Sequence, residues 1–279
     1  MDFTGERFIP EIRGTVELEH LNRYYFVVNQ VDLKNKIVLD IASGEGYGSE
    51  ILSRNAKQVI GVDISYETVE HSCVKYKKDN LKFVQGDATK IPLEDNTVDV
   101  VVSFETIEHH DKHIEMLNEI KRVLNPNGIL VISSPDKQFF LSKEKNKYHV
   151  KELYYNEFKQ LISFYFSKTF FFSQRTFGGS IIALDENYNH YSKPLIVERS
   201  GESHPLIPIY NIALATNSSK FELSEELIFY TESDLAITQQ DVENAIYDTI
   251  INLHNTKAYR LGKFILKPFS FFRTKILRK

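Results

Sequence analysis

The stretch Ile37-Val38-Leu39-Asp40-Ile41-Ala42-Ser43-Gly44-Glu45-Gly46-Tyr47-Gly48 constrains the chain more than any other. An apolar run ends at an acid, and a glycine-rich turn follows at once. This pattern predicts a buried parallel strand breaking into a tight loop that opens a helix near Tyr47. Glycines there admit left-handed backbone angles and close approach of a ligand to main-chain atoms. Dinucleotide sites share such glycines, but they place the first one directly after the strand, where a pyrophosphate meets the helix N-terminus. Here Asp40 stands at that point. A carboxylate repels a pyrophosphate and suits an ammonium group, so the sequence predicts a ligand with positive charge near the loop.

S-adenosylmethionine has that charge, and the stretch resembles motif I of the Rossmann-like S-adenosylmethionine-dependent methyltransferases. The next hundred residues keep the resemblance in order. Gly61-Val62-Asp63-Ile64-Ser65 is similar to the end of strand two, and Gln85-Gly86-Asp87-Ala88 to the end of strand three. Asp99–Ser103 is similar to strand four, and Leu124-Asn125-Pro126-Asn127-Gly128 to the turn before strand five. The resemblance implies that Asp40, Ala42, Gly44 and Gly46 seat the methionine portion, with Asp63 and Ile64 at the ribose and Asp87 and Ala88 at the adenine. It also implies a doubly wound, seven-stranded, mostly parallel α/β sheet with an antiparallel last strand.

Alternating short apolar runs and amphipathic segments support that architecture without the resemblance. Strands are expected at 37–41, 58–62, 81–84, 99–103 and 129–133, and helices at 47–55, 66–78, 111–123 and 153–166. Residues 170–175 and 180–184 read as one strand kinked at Gly178-Gly179, and 209–215 as the last strand. Residues 1–36 form a cap whose helix, Glu17–Val31, carries the stripe Leu18, Leu21, Tyr25 and Val28. The resemblance places such a helix over the cofactor, with Arg23 toward the methionyl carboxylate or, alternatively, a solvated Arg23; His20 reads as structural. The methyltransferase domain spans 37–256, with a loop-like substrate-side insertion near 185–208 and a further helix at 233–253.

Asp40, Asp63, Asp87 and Glu105 all fall at carboxyl ends of strands, where a ligand crevice forms. Four acids at one edge repel each other unless a ligand or hydrogen bonds engage them. His109, after strand four, and His149, in Asn146-Lys147-Tyr148-His149-Val150-Lys151-Glu152, are the catalytic candidates, since an imidazole titrates near neutral pH. Alternatively, Glu108-His109 caps the following helix and His149 only enters the next one. Glu105-x-x-Glu108-His109 is also similar to the divalent-metal cluster of ubiquinone-pathway and small-RNA 2′-O-methyltransferases. Many relatives carry the Glu-His pair without a metal, and none is expected here.

In a chain of 279 residues, the single Cys73 excludes a disulfide framework and fits a reducing cytoplasm. Net charge is −4, yet residues 257–279 hold eight Lys or Arg and no acid, leaving 26 basic against 38 acidic residues before them. That acidic body argues against nucleic-acid binding. The tail interleaves its basic residues with Phe264, Phe269, Phe271 and Phe272, the composition of a segment drawn to anionic lipid. A similar Asn-x-x-His-x-x-Glu segment recurs in methyltransferases encoded with bacterial surface-polysaccharide genes. The expected reaction is therefore O-methylation of a sugar or lipid-linked glycan, by a cytoplasmic enzyme peripheral to the inner membrane face. A quinone-precursor methyltransferase and a non-catalytic cofactor-binding partner of a glycosyltransferase are the alternatives.

Overall fold

The computed structural model describes residues 15–139, 146–176, 180–185, 195–199, 202–206, 208–224 and 227–230. Eleven strands and five helices run through them. The expected helix at 233–253, the tail at 257–279, the start of the cap and the glycine pair at 178–179 lie outside the described residues.

Helix α1, Thr15–Gln30, leads into β1, Ile37–Ile41, and α2, Tyr47–Ser53. Strand β2, Gln58–Asp63, helix α3, Tyr66–Lys75, and β3, Leu81–Gln85, complete the first half. Next come β4, Val98–Ser103, a 3-10 turn at Ile107–His109, α4, His113–Val123, and β5, Leu124–Pro135. Helix α5, Tyr155–Tyr165, precedes β6, Lys168–Thr176, and β7, Ser180–Leu184. The last strands are β8, Leu195–Arg199, β9, Glu202–Leu206, β10, Tyr210–Thr216, and β11, Leu227–Tyr230.

The main sheet runs β11-β7-β6-β10-β5-β4-β1-β2-β3. Strands β3, β2, β1, β4 and β5 pair in parallel, and β10 is antiparallel to both β5 and β6. The expected seven-stranded order is present, and β7 and β11 extend it past β6 to nine strands. Apolar clusters cover both faces, as a doubly wound sheet requires. One joins Phe26, Val27, Ile51 and Leu52 with Val38, Val100 and Phe172. The other joins Met116, Leu117, Ile120, Phe158 and Ile162 with Leu39, Val101 and Leu130.

Four expectations are corrected. The kinked strand at 170–184 is a hairpin: β6 and β7 pair antiparallel, with Thr176 opposite Ser180. A Gly-Gly pair between apolar runs is a turn signal in the sequence. The insertion near 185–208 is not all loop, because β8 and β9 pair with Ile196 opposite Pro205. The turn at Leu124–Gly128 belongs to β5, which shifts register against β4 between Val98 and Val100. Finally, α1 is not buried along its predicted stripe alone. Asn22, Arg23, Phe26 and Val27 are fully enclosed, because the helix also packs on β6 and β7.

Candidate functional site

The glycine loop hangs between β1 and α2 at the carboxyl edge of the parallel strands. Ala42, Gly44 and Gly46 all have positive φ, at 56°, 55° and 98°, which a side chain tolerates poorly. The glycines serve different ends. A Cβ on Gly46 would lie 2.9 Å from Phe83, and one on Gly48 would strike the Tyr24 ring at 1.9 Å. A Cβ on Gly44 would meet nothing nearer than the Ala42 carbonyl, at 3.9 Å. Gly46 and Gly48 therefore permit packing, whereas Gly44 faces open space that a ligand can enter.

Each of the four edge acids is engaged by protein donors, so hydrogen bonding within the fold accounts for their proximity. Asp63 accepts Gly44 N at 3.0 Å and Ser65 N at 2.9 Å, tying the loop to the end of β2. The Glu105 carboxylate accepts Ser133 Oγ at 2.6 Å, and the Glu105 N–H donates to that same oxygen at 3.0 Å. Glu105 has φ 48°, an unusual angle for a non-glycine residue and a mark of functional sites. Asp87 accepts the N–H and hydroxyl of Thr89, and the backbone bond leads in holding its carboxyl below the usual range. It is exposed, with Ala88 beside it.

Asp40 is corrected. It is fully buried, with Ser49 Oγ 2.6 Å and Tyr24 OH 3.3 Å from its oxygens. Burial pushes its pKa up to about 7, against the opposing effect of those hydrogen bonds. The direct contact with an ammonium group expected of Asp40 is closed off by Tyr24; the acid holds α2 and α1 beneath the loop. Glu45 does similar work on the other flank. It is buried and bound by Lys75 at 2.6 Å and by Tyr76 OH at 2.7 Å.

Arg23 lies near Glu105 at this edge. Its Nε donates to Gln174 Oε1 at 2.7 Å, and the guanidinium lies 4.3 Å from the Tyr210 ring centroid. Nη1 is 3.7 Å from Glu105 Oε1. Both Nη1 and Nη2 are buried without a hydrogen-bond partner, an arrangement that costs free energy unless a ligand supplies acceptors. Arginine offers a carboxylate two parallel donors, so this residue fits a methionyl carboxylate. The exposed Ile64 gives an apolar surface beside Asp63, and Gly44 leaves room; together these residues fit S-adenosylmethionine. His20 is structural: its Nδ1 is 3.0 Å from Tyr47 OH, and burial, then Arg23, lower its pKa to about 3.

His109 and His149 meet across the edge, with ring centroids 5.3 Å apart. His109 Nδ1 is 3.0 Å from the Tyr148 carbonyl, so Nδ1 donates its proton there. His149 Nδ1 is 2.6 Å from Glu152 Oε1. Glu108 lies between these segments: its backbone carbonyl accepts Val150 N and Lys151 N. Its carboxylate is buried, and the donor nearest to it is its own backbone N–H. Burial, then Glu105, raises its pKa well above the carboxylate range. Neither Glu108 nor His109 caps α4, whose N-cap is Lys112. Sequence reasoning missed Gln174, Tyr210, Ser133 and Tyr24, which lie far from the motifs or carry no spacing signal.

Residues 39–132 match the family model described as a methyltransferase domain. A relative in Mycolicibacterium smegmatis, named a probable S-adenosylmethionine-dependent methyltransferase, is 33% identical over 168 residues, covering 58% of this chain and 63% of its own. One in Mycobacterium ulcerans, named a probable phthiotriol/phenolphthiotriol dimycocerosates methyltransferase, is 33% identical over 111 residues, covering 39% and 43%. The chain thus spans less than two thirds of the curated relatives it matches. The crystal structure of YcgJ from Bacillus subtilis aligns with a TM-score of 0.53 at 17% identity, covering 72% of this chain and 99% of that one. The fold is the Rossmann-like α/β methyltransferase fold.

Proposed function

We propose that this chain is an S-adenosylmethionine-dependent methyltransferase that O-methylates a sugar or lipid-linked glycan. The observation that carries the cofactor reading is Arg23, whose two buried Nη atoms have no hydrogen-bond partner. The match of 39–132 to a methyltransferase domain supports it independently. When bound, S-adenosylmethionine supplies an electrophilic methyl group on a sulfonium.

The protein's own part is positioning. Arg23 holds the carboxylate, Asp63 receives the ribose hydroxyls, Ile64 covers one adenine face, and Asp87 accepts the adenine amine with Ala88 alongside. The Tyr210 ring covers the Arg23 guanidinium. The acceptor hydroxyl is engaged from the opposite side by His109 and His149. Such alignment of reacting atoms accounts for much of the rate in transfers of this type.

The acceptor reading rests on the surface around those imidazoles. Tyr148, Val150 and Tyr154 are exposed beside them, a rim of rings and apolar surface suited to a sugar ring or a lipid-bearing acceptor. The relative named for phthiotriol substrates supports a hydroxylated, lipid-linked acceptor. Among the described residues no helix is long and apolar enough to cross a membrane, and the basic tail at 257–279 is proposed to bring the protein to an anionic surface. Transfer of labelled methyl from S-adenosylmethionine onto purified glycans, lipid-linked sugars and quinone precursors tests the assignment. Label in a glycan, lost in His109→Ala, supports it; label confined to quinone precursors refutes the acceptor class.

A further inference from the structure

We infer that Lys137, Lys147 and Lys151 form a phosphate-binding rim on the acceptor side of the site, and that the acceptor carries a phosphate or diphosphate group. This deepens the proposed function and rests on it for placing the acceptor beside His109 and His149.

Charge distribution is the first observation. Residues 137–151 hold five lysines, Lys137, Lys143, Lys145, Lys147 and Lys151, against one acid, Glu144. Residues 1–256 as a whole hold 26 basic against 38 acidic residues. A cationic run inside an acidic body draws anions to one place and repels them elsewhere. Lys137, Lys147 and Lys151 are the described lysines of this run, and all three are exposed.

Backbone bonds place them beside the imidazoles. Lys137 N donates to the Leu153 carbonyl at 3.1 Å, and Lys151 N to the Glu108 carbonyl at 3.1 Å. The Tyr148 carbonyl, next to Lys147 in the chain, accepts from His109 Nδ1 at 3.0 Å. The segment that carries His149 therefore carries the positive charge as well.

These charges are uncommitted, whereas the described acids around them are engaged. Among the described residues none of the three lysines has an ion-pair partner. Glu152 Oε1 is 2.6 Å from His149 Nδ1, and Glu157 accepts Tyr154 N at 3.0 Å. Asp136 is buried and accepts Gln138 N at 2.9 Å. Two of the ammonium groups rest on rings instead. Lys137 Nζ is 5.0 Å from the Tyr154 centroid, and Lys147 Nζ is 4.8 Å from that of Tyr148. A ring face within about 6 Å attracts a cation and leaves N–H groups to point outward.

The donor type selects the ligand class. An ammonium is a compact charge with several donors and no acceptor, which suits phosphate oxygens. Three of them around one opening match the multiple charges of a diphosphate better than the single charge of a carboxylate. The exposed Tyr148, Val150 and Tyr154 alternate with these lysines and suit the sugar or lipid joined to the phosphate. No bond to phosphorus forms or breaks; the rim holds the acceptor so that its hydroxyl meets the imidazole pair.

Full-length protein saturated with S-adenosylhomocysteine is titrated with inorganic pyrophosphate, geranyl diphosphate and geraniol, followed by calorimetry. The inference predicts that both diphosphates bind, that geraniol binds far more weakly, and that salt weakens the diphosphates. Tighter geranyl diphosphate identifies a lipid-linked acceptor and tighter pyrophosphate a soluble one, and either supports the inference. Lys147→Ser and Lys151→Ser should each weaken binding roughly three- to ten-fold, and the variant with all three lysines changed to Ser should lose it. Lys121→Ser is the control, since Lys121 also rests on a ring, Phe166 at 4.7 Å, but in the last turn of α4; it should bind as the wild type does. S-adenosylhomocysteine affinity in the same samples reports that the variants are folded. Diphosphate binding that persists in the triple variant belongs to another basic part of the chain and overturns the inference. So does a triple variant that loses sedimentation with phosphatidylglycerol vesicles while keeping pyrophosphate, which assigns the lysines to a membrane. Cofactor binding without diphosphate binding overturns the inference and leaves the proposed function standing. Failure of the wild-type protein to bind S-adenosylhomocysteine overturns the proposed function itself.

Discussion

Arg23 and Gln174 sit 151 positions apart, yet Arg23 Nε donates to Gln174 Oε1 at 2.7 Å inside the protein. That one bond orients the guanidinium, whose Nη1 and Nη2 remain buried without hydrogen-bond partners. Gln174 is itself anchored, since its Nε2 donates to the Glu19 carbonyl at 3.0 Å and to Ser180 Oγ at 2.9 Å. Helix α1 and the β6–β7 hairpin are therefore joined through the residue expected to hold the methionyl carboxylate.

Replacing Arg23 with Ala should weaken S-adenosylhomocysteine binding by about 1.5–3 kcal/mol per charged hydrogen bond lost. Affinity for methylthioadenosine, which has no carboxylate, should be nearly unchanged. Arg23→Lys should not rescue binding, because a point ammonium cannot reproduce the bidentate geometry. Calorimetry with both ligands checks this, and an equal loss for both would show that Arg23 acts only on the fold.

Two glycine substitutions should separate packing from ligand access. Gly46→Ala places a methyl against Phe83, Ser72 and Tyr76 and should lower stability by about 1–3 kcal/mol. Gly44→Ala meets no such obstacle and should cost only the left-handed backbone penalty, about 1–2 kcal/mol. Its larger effect should be on cofactor affinity. Urea unfolding and calorimetry on the two variants measure these effects, and a greater loss of affinity in Gly46→Ala at equal stability would reverse the assignment.

Asp40 should leave a signature in the pH dependence of stability. Its folded pKa, about 7, lies above the ordinary aspartate value of 3.8. Between these values the folded protein keeps a proton that the unfolded chain releases, so stability falls as pH rises from about 4 to about 7. The contribution is fully present below pH 4 and lost above pH 7, with a size on the order of a few kcal/mol. Urea midpoints measured across this range should show the fall in the wild type and a smaller one in Asp40→Asn. Parallel curves would mean that Asp40 ionises freely in the folded state.

The tail yields a prediction that depends on sequence alone. Eight basic residues and no acid in 257–279 should bind anionic vesicles, each charge contributing about 1 kcal/mol and weakening with salt. Phe burial should preserve part of the binding at high salt. Deleting 257–279 should abolish vesicle sedimentation without changing cofactor affinity. Full-length protein that stays in the supernatant at low and high salt would remove the membrane reading.

The parallel half of the fold was legible because β1, β2 and β3 are short apolar runs that close on Asp40, Asp63 and Gly86. Asp63 and Gly44 were found at the site for that reason. Arg23 came from the resemblance, since its burial is invisible in a helix whose polar residues Asn22 and Arg23 face β6 and β7. The hairpin was misjudged because apolar runs on both sides of Gly178-Gly179 look alike whether the chain continues or turns back. Tyr210 and Gln174 carry no local signal; only the placement of β10 and β6 brings them to Arg23. Glu108 lay in plain view, but its burial beside Val150 and Lys151, whose N–H groups bond to its carbonyl, is reported by no spacing rule.

Calorimetric titration of the purified chain with S-adenosylmethionine, S-adenosylhomocysteine and NAD tests the account most directly. It predicts saturable binding of both adenosyl ligands, weakened in Asp63→Ala and Arg23→Ala, and no measurable heat with NAD. Binding of NAD in preference to S-adenosylmethionine, or affinities for the adenosyl ligands unchanged in both variants, would contradict it.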